Sequence, residues 1–201
     1  MKKVLTIAGS DSGGGAGIQA DIKTISALGC YAASAITAVT VQNTLGVAAV
    51  HPIPPEIVGS QIKAVLDDIG ADAIKIGMLF SADTIHTVAK TLNSQLSNLR
   101  TTLNSKLSTL NYTTPVVLDP VMVSTSGHRL MKEDAIEALT TELIPLASVI
   151  TPNLPEAEVL LGERITDLPA AAKQLAEKFK VSVLLKAGHL VNEELRMKNE
   201  E

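Results

Sequence analysis

Apolar, β-rich runs alternate with amphipathic helical segments along the whole chain, which predicts a mainly parallel sheet covered by helices. The runs predict strands near 3–8, 33–41, 47–51, 72–77, 116–119, 147–151 and 182–186. Helical spacing of apolar residues falls near 15–28, 55–69, 82–111, 132–143, 154–161 and 168–179. Pro54-Pro55 opens the second of these helices where a missing N–H does no harm, and Ser81 suits the N-cap of the third. Within the third, Thr91-Leu92-Asn93-Ser94-Gln95-Leu96-Ser97 recurs as Thr102-Leu103-Asn104-Ser105-Lys106-Leu107-Ser108. Leu92, Leu96, Leu99, Leu103, Leu107 and Leu110 fall on one helical face, marking 91–111 as a leucine-striped extension. It reads equally as an arm for a partner or as a lengthened surface helix packed on its own domain, and it carries no catalytic chemistry.

The segment Ala8-Gly9-Ser10-Asp11-Ser12-Gly13-Gly14-Gly15-Ala16-Gly17-Ile18-Gln19-Ala20-Asp21 joins the first strand to a helix through a glycine-rich turn. Such a turn lets backbone approach a ligand closely, and the N–H groups opening the helix favour an acceptor or an anion. Two familiar glycine fingerprints fail here. A P-loop needs Gly-Lys-Ser/Thr, and no lysine stands between Lys3 and Lys23. A dinucleotide fingerprint needs a third glycine where Ile18 stands.

Composition narrows the classes. A chain of 201 residues, 46% hydrophobic and with a net charge of −4, suits one α/β domain over 1–201. Aromatic residues make up 2% and no basic patch stands out, which argues against nucleic acid as a partner. The negative balance argues against anionic membranes, and no segment is long enough to span a bilayer. Lys2-Lys3 precedes an apolar run too short for a secretory signal. The lone Cys30 rules out an internal disulfide, fits a reducing cytoplasm, and reads as a buried structural thiol after the helix-ending Gly29. His51, His86, His128 and His189 lack metal-ligand spacing.

Further pieces follow in order: Val41-Gln42-Asn43-Thr44, Lys75-Ile76-Gly77-Met78-Leu79, Val117-Leu118-Asp119-Pro120-Val121-Met122, Ile150-Thr151-Pro152-Asn153-Leu154-Pro155-Glu156-Ala157 and Leu185-Lys186-Ala187-Gly188-His189. With the glycine turn, they resemble the bacterial hydroxymethylpyrimidine/phosphomethylpyrimidine kinases of thiamine biosynthesis, members of the ribokinase-like superfamily. The resemblance runs from Val4 to about Glu194. It implies a three-layer α/β/α sandwich, a cytoplasmic homodimer, and ATP with Mg²⁺. The implied reaction moves the ATP γ-phosphoryl onto the hydroxymethyl group of 4-amino-5-hydroxymethyl-2-methylpyrimidine, then a second phosphoryl onto the monophosphate.

The residue types suit those tasks. Gln42 offers an acceptor and a donor side by side, as an aminopyrimidine edge requires; a core amide satisfied by backbone is the competing reading. Asp21 can accept from a ring amino or hydroxyl group, or merely complement the helix dipole. Gly9 lets the chain turn beneath a ring and Met78 offers a soft apolar surface to it. By the resemblance, Val117 lines the same pocket, although packing alone explains an apolar strand residue. Asp119 ends a strand at the carboxyl edge of the sheet, where open α/β folds bind ligands. The resemblance assigns Asn153 and Glu156 to phosphate and metal organisation, with Asp119 and Glu156 acting on magnesium mainly through water; without the other motifs, an ordinary helix start with a capping Asn153 and a first-turn Glu156 would be the preferred reading. Lys186 suits the ATP phosphates, or is a snorkelling strand-end lysine. Asn43, Thr44 and Ser124-Thr125-Ser126-Gly127 suit loops over the site.

The resemblance also breaks. The family continues to a Gly-Thr-Gly-Cys motif that supplies backbone N–H groups for the developing phosphoryl charge, and no such motif follows Lys186 here. The catalytic residue is therefore unassigned, and the expectation is a fold incomplete at its C-terminus with part of its sheet uncovered. Ala187 stands where the family has glycine. Two rivals stay open: a pyridoxine/pyridoxal kinase of the same superfamily, and a non-catalytic pyrimidine-binding protein.

Overall fold

The computed structural model describes residues 1–104, 114–122, 131 and 133–186. Among them, one sheet holds β1 (Lys3–Asp11), β2 (Tyr31–Asn43), β3 (Gly46–Pro52), β4 (Ala73–Ile76), β5 (Val116–Leu118), β6 (Val149–Ile150) and β7 (Ser182–Val183). The order is β3-β2-β1-β4-β5-β6-β7, parallel except for β3, which returns antiparallel along β2. Helices α1 (Gly17–Ala27), α2 (Pro55–Asp68), α3 (Ala82–Asn104), α4 (Glu133–Ala138), α5 (Leu154–Leu161) and α6 (Leu168–Phe179) fill the connections.

Each predicted element has a counterpart, and the differences have local causes. β1 runs on to Asp11, so the glycine turn begins later than the apolar run suggests. Pro54 does precede α2, and the Ser81 hydroxyl accepts from Thr84 N at 3.3 Å at the start of α3. α4 gives way to a π-helical turn over Leu139–Leu143 and a 3₁₀ turn over Ile144–Leu146. There the Thr140 and Thr141 hydroxyls both donate to the Glu137 carbonyl, and Pro145 has no N–H with which to continue the ladder. The leucine-striped extension is helical through Asn104, with Leu92 fully buried, while 105–111 lie outside the described residues. So do Ser124–Gly127, Ala187 and His189.

Strand alternation divides the sheet into two faces. Leu5 and Ile7, Ile74 and Ile76, Val116 and Leu118 are buried in one cluster with Val58, Ile62 and Leu66 of α2 and Ile85, Val88 and Leu92 of α3. Thr6, Lys75 and Val117 lie in register on the opposite face, which carries α1. From β1 the chain passes to β2 on one side, whereas β4 to β7 follow on the other. The strand order thus reverses between β1 and β4, and the carboxyl ends of those strands open a crevice.

Candidate active site

A cavity of about 630 Å³ lies at that reversal. Gly9, Asp21, Gln42, Met78, Asp119, Asn153, Glu156 and Lys186 all line it, together with Asn43 and Thr44. Val117 does not, contrary to expectation. It sits within β5 beside Lys75 of β4, two residues before Asp119, which stands past the strand's carboxyl end and does line the cavity.

The glycine turn also differs from expectation, because its N–H groups already hold an anion. Asp11, 4% exposed, accepts from Gly13 N at 2.7 Å through Oδ1, and from Gly15 N and Ala16 N at 2.9 and 2.8 Å through Oδ2. The carboxylate therefore fills the nest that a phosphate would use. Gln19 secures it from the helix, its Oε1 accepting from Asp11 N at 2.8 Å and its Nε2 donating to Ser10 Oγ at 2.7 Å. Asp11 is thus a structural residue that the sequence reading left without a role, and an acidic residue two positions before a glycine triplet was the available signal.

At the β1–β4 end the groups suit a flat polar ring. Met78 reaches over Gly9, where a Cβ would come within 2.6 Å of the Met78 methyl. Asp21 is half-buried; its Oδ2 accepts from Thr6 Oγ1 at 2.6 Å and from Lys75 Nζ at 2.9 Å. Gln42 sits on β2 with its side-chain amide 3.2 Å from the Thr40 hydroxyl, whose one proton goes to the nearer Ser10 carbonyl at 2.9 Å. Lys75 lines the cavity although the sequence reading gave it no role. Its signal was a lone lysine inside the strand Ala-Ile-Lys-Ile.

At the far end the groups are charged. Lys186 Nζ donates to Asp119 Oδ1 at 2.7 Å. Asn153 and Glu156 form a capping box on α5: the Asn153 side chain accepts from Glu156 N at 2.9 Å, and Glu156 Oε2 accepts from Asn153 N at 2.8 Å. Glu156 Oε1 also accepts from Met122 N at 3.4 Å. Only 2% of Glu156 is exposed, and burial, with the Asp119 charge assisting, holds its carboxyl above the usual range against the pull of its backbone partners and Lys186. Among the described residues, no group of three or more His, Cys, Asp or Glu is arranged to hold a metal ion. No described helix is long and apolar enough to cross a membrane.

The strand order and the cavity's place within it define a ribokinase-like α/β protein. The model of the family described as phosphomethylpyrimidine kinase matches residues 11–200, and the chain belongs to that family. It is 47% identical over 195 residues to the hydroxymethylpyrimidine/phosphomethylpyrimidine kinase of Haemophilus influenzae, covering 96% of this chain and 66% of that protein. The Bacillus subtilis protein of the same name is 46% identical, with coverages of 93% and 64%. Among solved structures, a phosphomethylpyrimidine kinase from Clostridium difficile superposes with a TM-score of 0.79 at 44% identity, covering 94% of this chain and 76% of that one. A Staphylococcus aureus pyridoxal kinase in complex with pyridoxal superposes with a TM-score of 0.75 at 33% identity, covering 94% and 64%. The chain spans about two thirds of the length of these curated relatives.

Proposed function

We propose that this chain phosphorylates 4-amino-5-hydroxymethyl-2-methylpyrimidine with ATP, and then phosphorylates the monophosphate to the diphosphate, in thiamine diphosphate synthesis. In the first step the hydroxymethyl oxygen bonds to the γ-phosphorus, the bond to the β–γ bridging oxygen breaks, and the hydroxyl proton is released as ADP leaves. The observation that carries this reading is the polarity of this cavity: a platform with hydrogen-bonding edges at one end and a lysine–carboxylate cluster at the other. Gly9 and Met78 would take the ring face, Gln42 and Asp21 its polar edge, and Lys186 and Asn153 the ATP phosphates. Phosphoryl transfer relies on positioning and charge stabilisation, so such a division of labour is what the reaction requires.

Magnesium fits the charged end, since it is held by one or two carboxylates with phosphate oxygens and waters completing the shell. Asp119 would hold it. Glu156, nearly sealed and bonded to backbone through both oxygens, would contribute charge. When bound, the ion neutralises charge on the transferring phosphoryl group.

The test is product formation from the pyrimidine and Mg-ATP, resolved by mass. Mono- and diphosphate together support the two-step reading, and binding without ATP consumption supports a pyrimidine-binding protein. The likeness to pyridoxal kinases at 33% identity favours a second reading, phosphorylation of pyridoxal or pyridoxine. A higher kcat/KM for the pyridine alcohol would replace the first reading with the second. The proposal includes a cytoplasmic homodimer; exposed Val39, Val41 and Leu45 on the β2–β3 hairpin supply apolar surface for it, and sedimentation tests it.

A further inference from the structure

We propose that Lys75 is the positioning residue for the ring-reading carboxylate of Asp21, and that recognition of the ring amino group depends on it. This rests on the pyrimidine reading above and adds a residue to it. β4 is apolar apart from Lys75, and its neighbours Ile74 and Ile76 are fully buried. In register with Thr6 and Val117, Lys75 leaves the sheet on the α1 side, where its ammonium lies 2.9 Å from Asp21 Oδ2. The fully buried Thr6 donates to the same oxygen at 2.6 Å. Two donors from two strands thus converge on Oδ2, and among the described residues Oδ1 accepts none. Gly77 keeps the space open, because a Cβ there would lie 2.8 Å from Lys75 Nζ.

A carboxylate held through one oxygen cannot turn about its last torsion, so the other oxygen becomes a fixed acceptor. Asp21 lines the cavity, which gives that acceptor a ligand to meet. The ammonium also offsets the cost of keeping a carboxylate largely out of water. Lys75 therefore acts through Asp21, on the selection of an amino-bearing ring and not on phosphoryl transfer. Structural packing would explain a lysine between two isoleucines; it would not explain a glycine two residues on that makes room for the charged end.

Binding of 4-amino-5-hydroxymethyl-2-methylpyrimidine and of its analogue lacking the 4-amino group separates the two roles. The 201-residue chain should prefer the amino compound. Lys75→Met and Asp21→Asn should each weaken its binding by about 10- to 100-fold, the scale of a hydrogen bond to a charged group, while the analogue binds within about twofold of the parent. The double variant should be no worse than the weaker single variant, and Lys75→Arg should restore part of the preference. Gly77→Ala, which keeps the charge but displaces the ammonium, should fall between and carries the comparison if Lys75→Met fails to fold. Equal weakening of both ligands in Lys75→Met, or an unaltered preference, overturns the proposal while leaving the kinase reading intact. Failure of the parent chain to bind either ligand overturns the pyrimidine reading itself and this inference with it.

Discussion

Gly9 and Gly17 face each other across one carbonyl, and they should fail differently when given a side chain. At Gly17 φ is +55°, and a Cβ would lie 2.2 Å from the Gly9 carbonyl oxygen, which is backbone and cannot yield. Gly17→Ala should destabilise the fold by about 1–3 kcal/mol from the left-handed backbone alone, with the overlap adding to it, as read by urea unfolding. At Gly9 the obstruction is the methyl end of Met78, a flexible side chain. Gly9→Ala should keep most of the stability and lose ring affinity instead, because Met78 must move into the cavity. Gln42→Ala should weaken pyrimidine binding by about 1–3 kcal/mol, the scale for an unmatched buried polar group, and an unchanged dissociation constant would remove Gln42 from the contacts.

On the scale of one element, the start of α5 joins folding to the site. Asn153→Ala removes the helix cap and should cost about 0.5–2 kcal/mol in denaturant unfolding. Its reciprocal partner gives a pH signature. Burial raises the Glu156 carboxyl above its ordinary value of 4.5, so the folded state retains this proton to higher pH than the unfolded chain does. Stability from this group is then complete below the unfolded pKa and is lost as pH rises through the folded one. Glu156→Gln lacks that slope. In metal-free buffer the stability difference between variant and parent should shift in the variant's favour as pH rises above the ordinary value of 4.5, at up to about 1.4 kcal/mol per pH unit until the folded carboxyl has ionised. Parallel pH curves for the two proteins would show that Glu156 does not titrate differently on folding.

For the whole molecule, the cavity draws on residues of β1, β2, β3 and β4 and on the segments that follow β5, β6 and β7, so occupying it should stabilise the fold as a unit. Pyrimidine at 100 times its dissociation constant should raise the unfolding free energy by about 2.7 kcal/mol, observed as a higher denaturant midpoint at unchanged slope. The pieces of the cavity were legible because each follows a recognisable strand: Gly9 ends β1's apolar run, Met78 follows β4, Asp119 follows β5, and Asn153 follows β6. Parallel strands bring all their carboxyl ends to one edge, so placing the strands placed these residues together.

Hydrophobic periodicity, proline and glycine punctuation and the order of motifs are local properties, and by themselves they determined the order of strands and helices, the mainly parallel sheet and the family. What each polar group bonds to was decided only in three dimensions. Asp11 takes the turn's N–H groups because β1 ends beneath that turn. Lys75 reaches Asp21, 54 residues away, because β4 pairs with β1 in one register. Val117 does not line the cavity that Asp119 lines because Val117 lies within β5 while Asp119 lies just past its carboxyl end. The alternation along one strand sets which face each residue takes, but which distant strand lies beside it is settled only when strands far apart in sequence pack together.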